Sequence, residues 1–334
     1  MKAAYLRYVE AFFERYPDVR QYTLFNEPFS TLFLCGSEGV WPPYRRGLPA
    51  FVSMMQNVLP ALVDACVIAR TVAPGAQHVW VDACEHHTGD GVRGVRYAAL
   101  ANDRRFFLLD AVLGRLSDDP NRSFVRDVLR AGGSSLLDLG GGHVDLLGLD
   151  YYAHCQWHFG EIAGHAPTPH PVPLADQIQE YADRYRLPVA ITETNLRGTG
   201  SDRATWLKYV LEQCEIAASR AVDVRSVCWF PFIDSADWDS LLHECEGNID
   251  PVGVYWLDDT LERRPSSCTS SFIAASCGAT AAELPAYHFQ DPVARWLRGY
   301  ADHMAHWEWR LPPEVERLED PDYYEFELRT RHVA

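Results

Sequence analysis

Two glutamates carry the chemistry this sequence could perform. Glu27 follows the β-prone run Tyr22–Phe25 and Asn26, and Pro28 comes next. A short apolar run closed by breakers reads as a buried strand whose C-terminal tip presents an amide and a carboxylate. Val189, Ala190, Ile191 and Thr192 repeat the pattern and end on Glu193, with Thr194 and Asn195 after it. The two glutamates are 166 residues apart (193 − 27). A pair of carboxyl groups held in opposite protonation states is the minimum apparatus for cleaving a glycoside. The acid protonates the leaving oxygen, and the carboxylate attacks the anomeric carbon or activates water.

The elements that must position this pair alternate. Residues 2–16 carry Tyr5, Tyr8, Val9, Phe12 and Phe13 at helical spacing, and Pro17 ends the pattern. The segment from Phe29 to Pro49, rich in Gly, Pro and aromatics, reads as a loop. Residues 50–72 form a long apolar helical pattern that Pro60 is expected to kink or split. Strands follow at 78–82, 144–150, 189–193 and 224–230. Helical patterns lie at 106–116, 124–129 and 173–186, and another runs from a cap at Ser201-Asp202 to about residue 218. Near-continuous apolar strands between helices imply a parallel sheet covered by helices. The strands end at Asn26, Asp82, Asp150, Thr192 and Phe230, each followed by polar or aromatic residues, as the C-terminal face of a closed barrel requires. A doubly wound sheet would open with a Gly-rich turn, which is missing. Gly132-Gly133 and Gly140 to Gly142 lack the Lys-Ser/Thr of a phosphate loop.

Composition narrows the partners. The 334 residues carry 30 Lys and Arg against 46 Asp and Glu, a formal net charge of −16, which argues against nucleic acid. Nine cysteines, none with C-x-x-C spacing, read as reduced and mostly buried thiols, which favours the cytoplasm. The first residues show no apolar core of a signal peptide, and no apolar run is expected to span a bilayer.

Thr23-Leu-Phe-Asn-Glu-Pro28, Asp150-Tyr-Tyr152, Ile191-Thr-Glu193 and the stretch from Trp229 to Asp237-Trp238 resemble the motifs of clan A glycoside hydrolases, most closely glycoside hydrolase family 1, the β-glucosidase and β-galactosidase type. Gly253 to Asp258 with Arg263-Arg-Pro-Ser266 is similar to the segment after the last barrel strand of that family. The resemblance implies a TIM (β/α)8-type barrel without a cofactor. It implies Glu27 as general acid/base, Glu193 as nucleophile, and Asn26 on the sugar 2-hydroxyl. Tyr152 would orient the nucleophile, Trp229 would form the sugar platform, and Asp237 and Trp238 would contact hydroxyls and stack. Retention of configuration follows where the carboxyl groups lie roughly 5–5.5 Å apart. The chain departs from the family in two respects. Thr194-Asn195 stands where Asn-Gly is usual, and only about five of eight strands are evident, with the first three missing.

The resemblance covers about residues 1–270. A catalytic domain is expected over residues 1–277, N-terminally incomplete, with residues 278–334 as a docked extension that contains a helix from Val293 to Trp307 and an acidic end. Glu85-His86-His87, His154 and His158 follow strands. Their spacing suits sugar hydroxyls, with His86 the candidate, better than a metal, because adjacent residues on an extended tip point apart. Arg45-Arg46 and Arg104-Arg105 read as solvated faces. The substrate expected is a small carbohydrate or an aryl or alkyl glycoside, with no nucleic acid or membrane partner. The competing reading is an inactive carbohydrate-binding protein, or a fragment that a partner completes.

Overall fold

The computed structural model describes residues 1–119, 122–162, 164–258 and 260–313. The acidic segment Glu314 to Glu327 lies outside the described residues. Two compact units divide the chain. One holds Met1–Asp150, His158–His165 and Leu187–Ala190, and the other holds Tyr151–Trp157, Ala166–Arg186 and the chain from Ile191.

In the first unit, helix α1 (Lys2–Arg15) leads to strand β1 (Gln21–Tyr22). Val9 and Phe13 of α1 bury against Tyr22 and against Ala65 and Ala69 further along the chain. The chain re-joins the sheet at Asn26, which bridges Val81 in parallel. The expected loop from Phe29 to Pro49 is corrected here. Helix α2 (Pro28–Phe33) starts directly, with its proline in the first turn, where no N–H is needed, and it continues as a π-helical turn over Leu34–Glu38. Helix α3 (Leu48–Val72) is not split at Pro60 but continues through it. Proline withholds one helical hydrogen bond, but Met55, Leu59, Leu62, Ala65 and Ala69 bury a stripe on both sides of it, and packing outweighs propensity. By length and composition alone the same helix is apolar enough to cross a membrane, a property it shares with core helices, and its buried stripe is that of a core helix. Strand β2 (Gln77–Ala83) pairs with β1 in parallel. Strand β3 (His86–Gly89) and helix α4 (Gly91–Arg104) then occupy sequence that gave no clear pattern, followed by α5 (Phe107–Leu113) and α6 (Ser123–Arg130). Strand β4 (Leu146–Asp150), buried throughout, pairs with β2 in parallel from Val79↔Leu146 to Ala83↔Asp150. Val79, Val81, Leu146 and Ala190 form one core cluster.

Strands β5 (Gln156–Phe159) and β6 (His165–Pro167) form a small sheet of order β3-β5-β6. In the second unit, helix α7 (Leu174–Tyr185) precedes strand β7 (Val189–Glu193), whose first two residues belong to the first unit. Helix α8 (Gly200–Ser219) is capped by Thr199, not by Ser201-Asp202. The Thr199 hydroxyl accepts from the Asp202 N–H, and the Asp202 carboxylate accepts from the Thr199 N–H at 3.1 Å, a reciprocal capping box. Strand β8 is limited to Val224–Val227. The main sheet has the order β1-β2-β4-β7-β8, five parallel strands with helices between them, which is part of a TIM-type barrel.

After β8 come helix α9 (Ser267–Ser276), α10 (Asp291–Leu297) and α11 (Ala301–Met304). The single helix expected from Val293 to Trp307 is divided by a 3-10 turn at Arg298–Tyr300. A Cβ on Gly299 would stand 2.6 Å from the Thr168 carbonyl, so only glycine lets the chain pass there. The segment docks on α8 of its own unit. Lys208 donates to the Ala281 and Leu284 carbonyls at 2.6 and 2.9 Å, and Thr205 Oγ1 accepts from the Tyr287 N–H at 2.8 Å.

Candidate active site

In the first unit, Asn26 and Glu27 stand where the chain returns to β2. Glu27 donates its N–H to the Val81 carbonyl at 3.1 Å and adopts a left-handed conformation (φ 41°) as the residue before α2. A non-glycine residue in that region is uncommon, and it turns the chain abruptly from strand into helix. Asp82, the next-to-last residue of β2, anchors the turn by accepting the Phe29 N–H at 3.0 Å. Burial raises the Asp82 carboxyl to about 7, against backbone hydrogen bonds that pull it down. The sequence placed Asp82 at a strand end without giving it a role. Its signal was the acidic residue at the same level as Asn26 and Glu27.

His86 opens β3 and is half-buried. Its neighbours form a separate polar group. Buried His87 lies 3.2 Å from Glu85 Oε2, and Arg105 donates to the Glu85 carbonyl at 2.8 Å. Burial raises the Glu85 carboxyl, but the His87 hydrogen bond and the charges of Arg104 and Arg105 outweigh it and leave it below the ordinary carboxylate range. The arginine pair is thus no solvated face: Arg105 is buried, and the Arg104 guanidinium stacks 4.5 Å from the Phe33 ring. Among the described residues, no group of three or more His, Cys, Asp or Glu could hold a metal ion.

In the second unit, Tyr152 and Glu193 meet. The Tyr152 hydroxyl donates to Glu193 Oε2 at 2.6 Å, and the Tyr151 N–H donates to the Glu193 carbonyl at 2.9 Å. A phenol at that distance from a carboxylate stabilises the ionised form and fixes its rotamer. The unusual Thr194-Asn195 fixes the strand ends. The Thr194 carbonyl accepts the Phe230 N–H at 3.1 Å, its hydroxyl accepts Trp206 Nε1 at 2.9 Å, and Asn195 Nδ2 donates to the Phe230 carbonyl at 2.6 Å. Trp229 lies between these contacts, 5% exposed, and its Nε1 donates to the Val252 carbonyl at 2.8 Å. Asp237 is buried and turned in on its own loop, where Oδ1 accepts the Glu246 and Asn248 N–H groups at 3.2 and 2.9 Å. The Trp238 N–H donates to Asp250 Oδ2 at 2.8 Å. Buried Asp234, which carried no sequence expectation, accepts from Val252, Gly253 and Arg203 at 2.7–3.0 Å and ties down this end of the unit. A Cβ on Gly253 would meet the Asp234 nitrogen at 2.4 Å, which explains the glycine.

No family model matches the chain, and no curated protein does. Solved structures do. The family 1 β-glucosidase from Thermotoga maritima is 18% identical, with a TM-score of 0.64, covering 83% of this chain and 68% of its own. The same enzyme in complex with azafagomine and in complex with cyclophellitol matches at 19% identity, with the same TM-score and coverage. The likeness is one of fold: the five-stranded sheet and its helices match part of the barrel of these β-glucosidases.

Proposed function

We propose that this chain is a retaining β-glycosidase in which Glu27 is the general acid/base and Glu193 the nucleophile. The observation that carries the reading is the 2.6 Å hydrogen bond from Tyr152 to Glu193 at the end of β7. It gives a strand-end carboxylate the partner a nucleophile needs, one that keeps it ionised and aimed. The placement of Glu27 directly after the Asn26 bridge to β2, with its N–H on the Val81 carbonyl, supports the second role. Structural neighbours bound to sugar-like inhibitors support a carbohydrate substrate.

In this mechanism Glu27 protonates the glycosidic oxygen as the bond to the anomeric carbon breaks. Glu193 attacks that carbon and forms the glycosyl-enzyme. Glu27, now a carboxylate, takes a proton from the water that displaces Glu193, and both groups return to their starting states. Asn26 contacts the 2-hydroxyl, and Trp229, Trp238, Asp237 and His86 complete the sugar contacts. The six buried thiols suit a reducing compartment such as the cytoplasm.

Turnover of aryl β-glucosides and β-galactosides, with the product anomer followed by NMR, tests the reading. The β-anomer should form first. Glu193→Ala should lower kcat on the order of 10³–10⁴-fold, and Glu27→Ala should be rescued by azide on substrates with activated leaving groups. A folded Glu193→Gln variant that keeps full activity overturns the assignment. The second reading, a carbohydrate-binding protein without turnover, is favoured by the five-strand sheet. It predicts sugar binding by calorimetry with no hydrolysis.

A further inference from the structure

We infer that the C-terminal segment 291–300 is part of the nucleophile's positioning apparatus, holding the Tyr151-Tyr152 pair of its own unit through Tyr300 and, by way of His154, through Trp296. The inference rests on Glu193 being the nucleophile, but the contacts that carry it do not.

Two consecutive residues follow β4, and strand alternation sends their side chains opposite ways. Tyr151 points inward and is fully buried. Its hydroxyl lies 2.8 Å from that of Tyr300, in the turn between α10 and α11, and accepts from Gln156 Nε2 at 2.9 Å. Tyr152 is the residue that donates to Glu193. Its ring stacks on His154, with centroids 5.1 Å apart and planes at 12°. Helix α10 meets His154 as well: Trp296 stands edge-on to it at 6.2 Å and 77°, and perpendicular to Trp157 at 5.3 Å and 87°. Glu193, Tyr152, His154, Trp296 and Trp157 therefore form one unbroken chain of contacts within the second unit.

The physical consequence concerns precision. A phenol hydroxyl 2.6 Å from a carboxylate fixes that carboxylate only as well as its own ring is fixed. Tyr152 has two soft torsions. One side of its backbone is held by the Tyr151–Tyr300 contact, and its ring is held by the stack on His154, which Trp296 contacts in turn. Edge-to-face aromatic contacts are each strong enough to favour one rotamer by several-fold. Trp296 acts on Glu193 through His154 and Tyr152, and Tyr300 acts through Tyr151, so both are positioning residues.

The test uses the full chain labelled with 13C at the tyrosine Cζ, with the Tyr152 signal assigned through Tyr152→Phe. Glu193→Gln defines the shift that follows loss of the charged acceptor. Trp296→Ala should move the Tyr152 signal toward that value, Trp296→Phe should restore it, and Tyr300→Phe should move it less, because Gln156 still holds Tyr151. Where the wild type turns over aryl β-glycosides, Trp296→Ala should lower kcat about tenfold with KM within about twofold, since misplacement of a nucleophile acts on the chemical step. A Tyr152 signal unchanged in folded Trp296→Ala overturns the inference. If Trp296→Ala does not fold, an unchanged signal in both His154→Ala and Tyr300→Phe overturns it equally. A wild type with no turnover refutes the glycosidase reading alone, because the NMR shifts still decide the positioning role.

Discussion

The first amides of α2 have no partner within the helix, and Asp82 supplies one: Phe29 donates to Oδ2 at 3.0 Å, directly after the strained Glu27. This one carboxylate thus helps hold the turn that presents Glu27, and its protonation matters to stability. Burial raises its native value to about 7, above the ordinary carboxylate range. Between about pH 4 and pH 7 the native state therefore binds more protons than the unfolded chain, and its contribution to stability is full below pH 4 and lost as pH rises through 7. A tenfold difference in proton affinity between the two states corresponds to about 1.4 kcal/mol, discounted here because Asp82 keeps some contact with water. We expect stability to fall by roughly 1–2 kcal/mol from this group between pH 5 and pH 8. Asp82→Asn keeps an oxygen for Phe29 and cannot ionise, so urea midpoints of the variant should lose that share of the pH dependence. An unchanged pH slope would show that the burden lies on other groups.

Helix α8 shows what an element can conceal from sequence. Its residues from Gly200 to Val210 are all buried, including Arg203, Asp202 and Lys208, so no polar face marks it as a surface helix. Helices α7 and α9 and the segment 278–313 explain this, because together they pack on the sides that would otherwise face water. Lys208 serves two carbonyls of that segment, and its ammonium lies 5.3 Å from the Trp307 ring centroid. Burial lowers its pKa, against the opposing charges of Glu212 and Glu215. Lys208→Met preserves the aliphatic stem but leaves both carbonyls without their donor. It should cost about 2–3 kcal/mol in equilibrium unfolding, and a loss under about 0.5 kcal/mol would mean that water replaces the ammonium. The strands were legible for a simpler reason: β2, β4 and β7 are buried and apolar, and their polar tips Asp82, Asp150 and Glu193 break the pattern where the sheet ends. The Tyr152–Glu193 pair could be read from motif and order. The roles of Trp296, Tyr300 and Asp234 could not, because each depends on a partner between 18 and 149 residues away, and spacing carries no such information. Helices α2 and α4 were missed because glycine, proline and arginine obscure their period, while packing against neighbours in the first unit decides their state.

At the scale of the whole chain the dominant field is its charge. A surplus of 16 acidic groups (46 − 30) repels itself, and folding brings those charges closer together. Ion pairs offset this locally, as between Arg203 and Asp234 at 3.0 Å or Arg197 and Asp250 at 2.6 Å, but they leave the long-range term in place. That term is sensitive to ionic strength, since the screening length contracts from about 30 Å at 0.01 M to about 8 Å at 0.15 M. Sodium chloride is the right agent, because sulfate also strengthens apolar burial and would confound the result. At pH 8 the free energy of unfolding should therefore rise on the order of 1 kcal/mol between those two concentrations. Near pH 5.2, where the sequence is close to neutral, the repulsion vanishes and screening weakens the remaining attractive pairs, so the same salt step should leave stability unchanged or slightly lower. Urea titrations at the two pH values, each at low and moderate salt, separate the cases. A gain of equal size at both would assign the salt effect to specific ion binding and remove net charge as its cause.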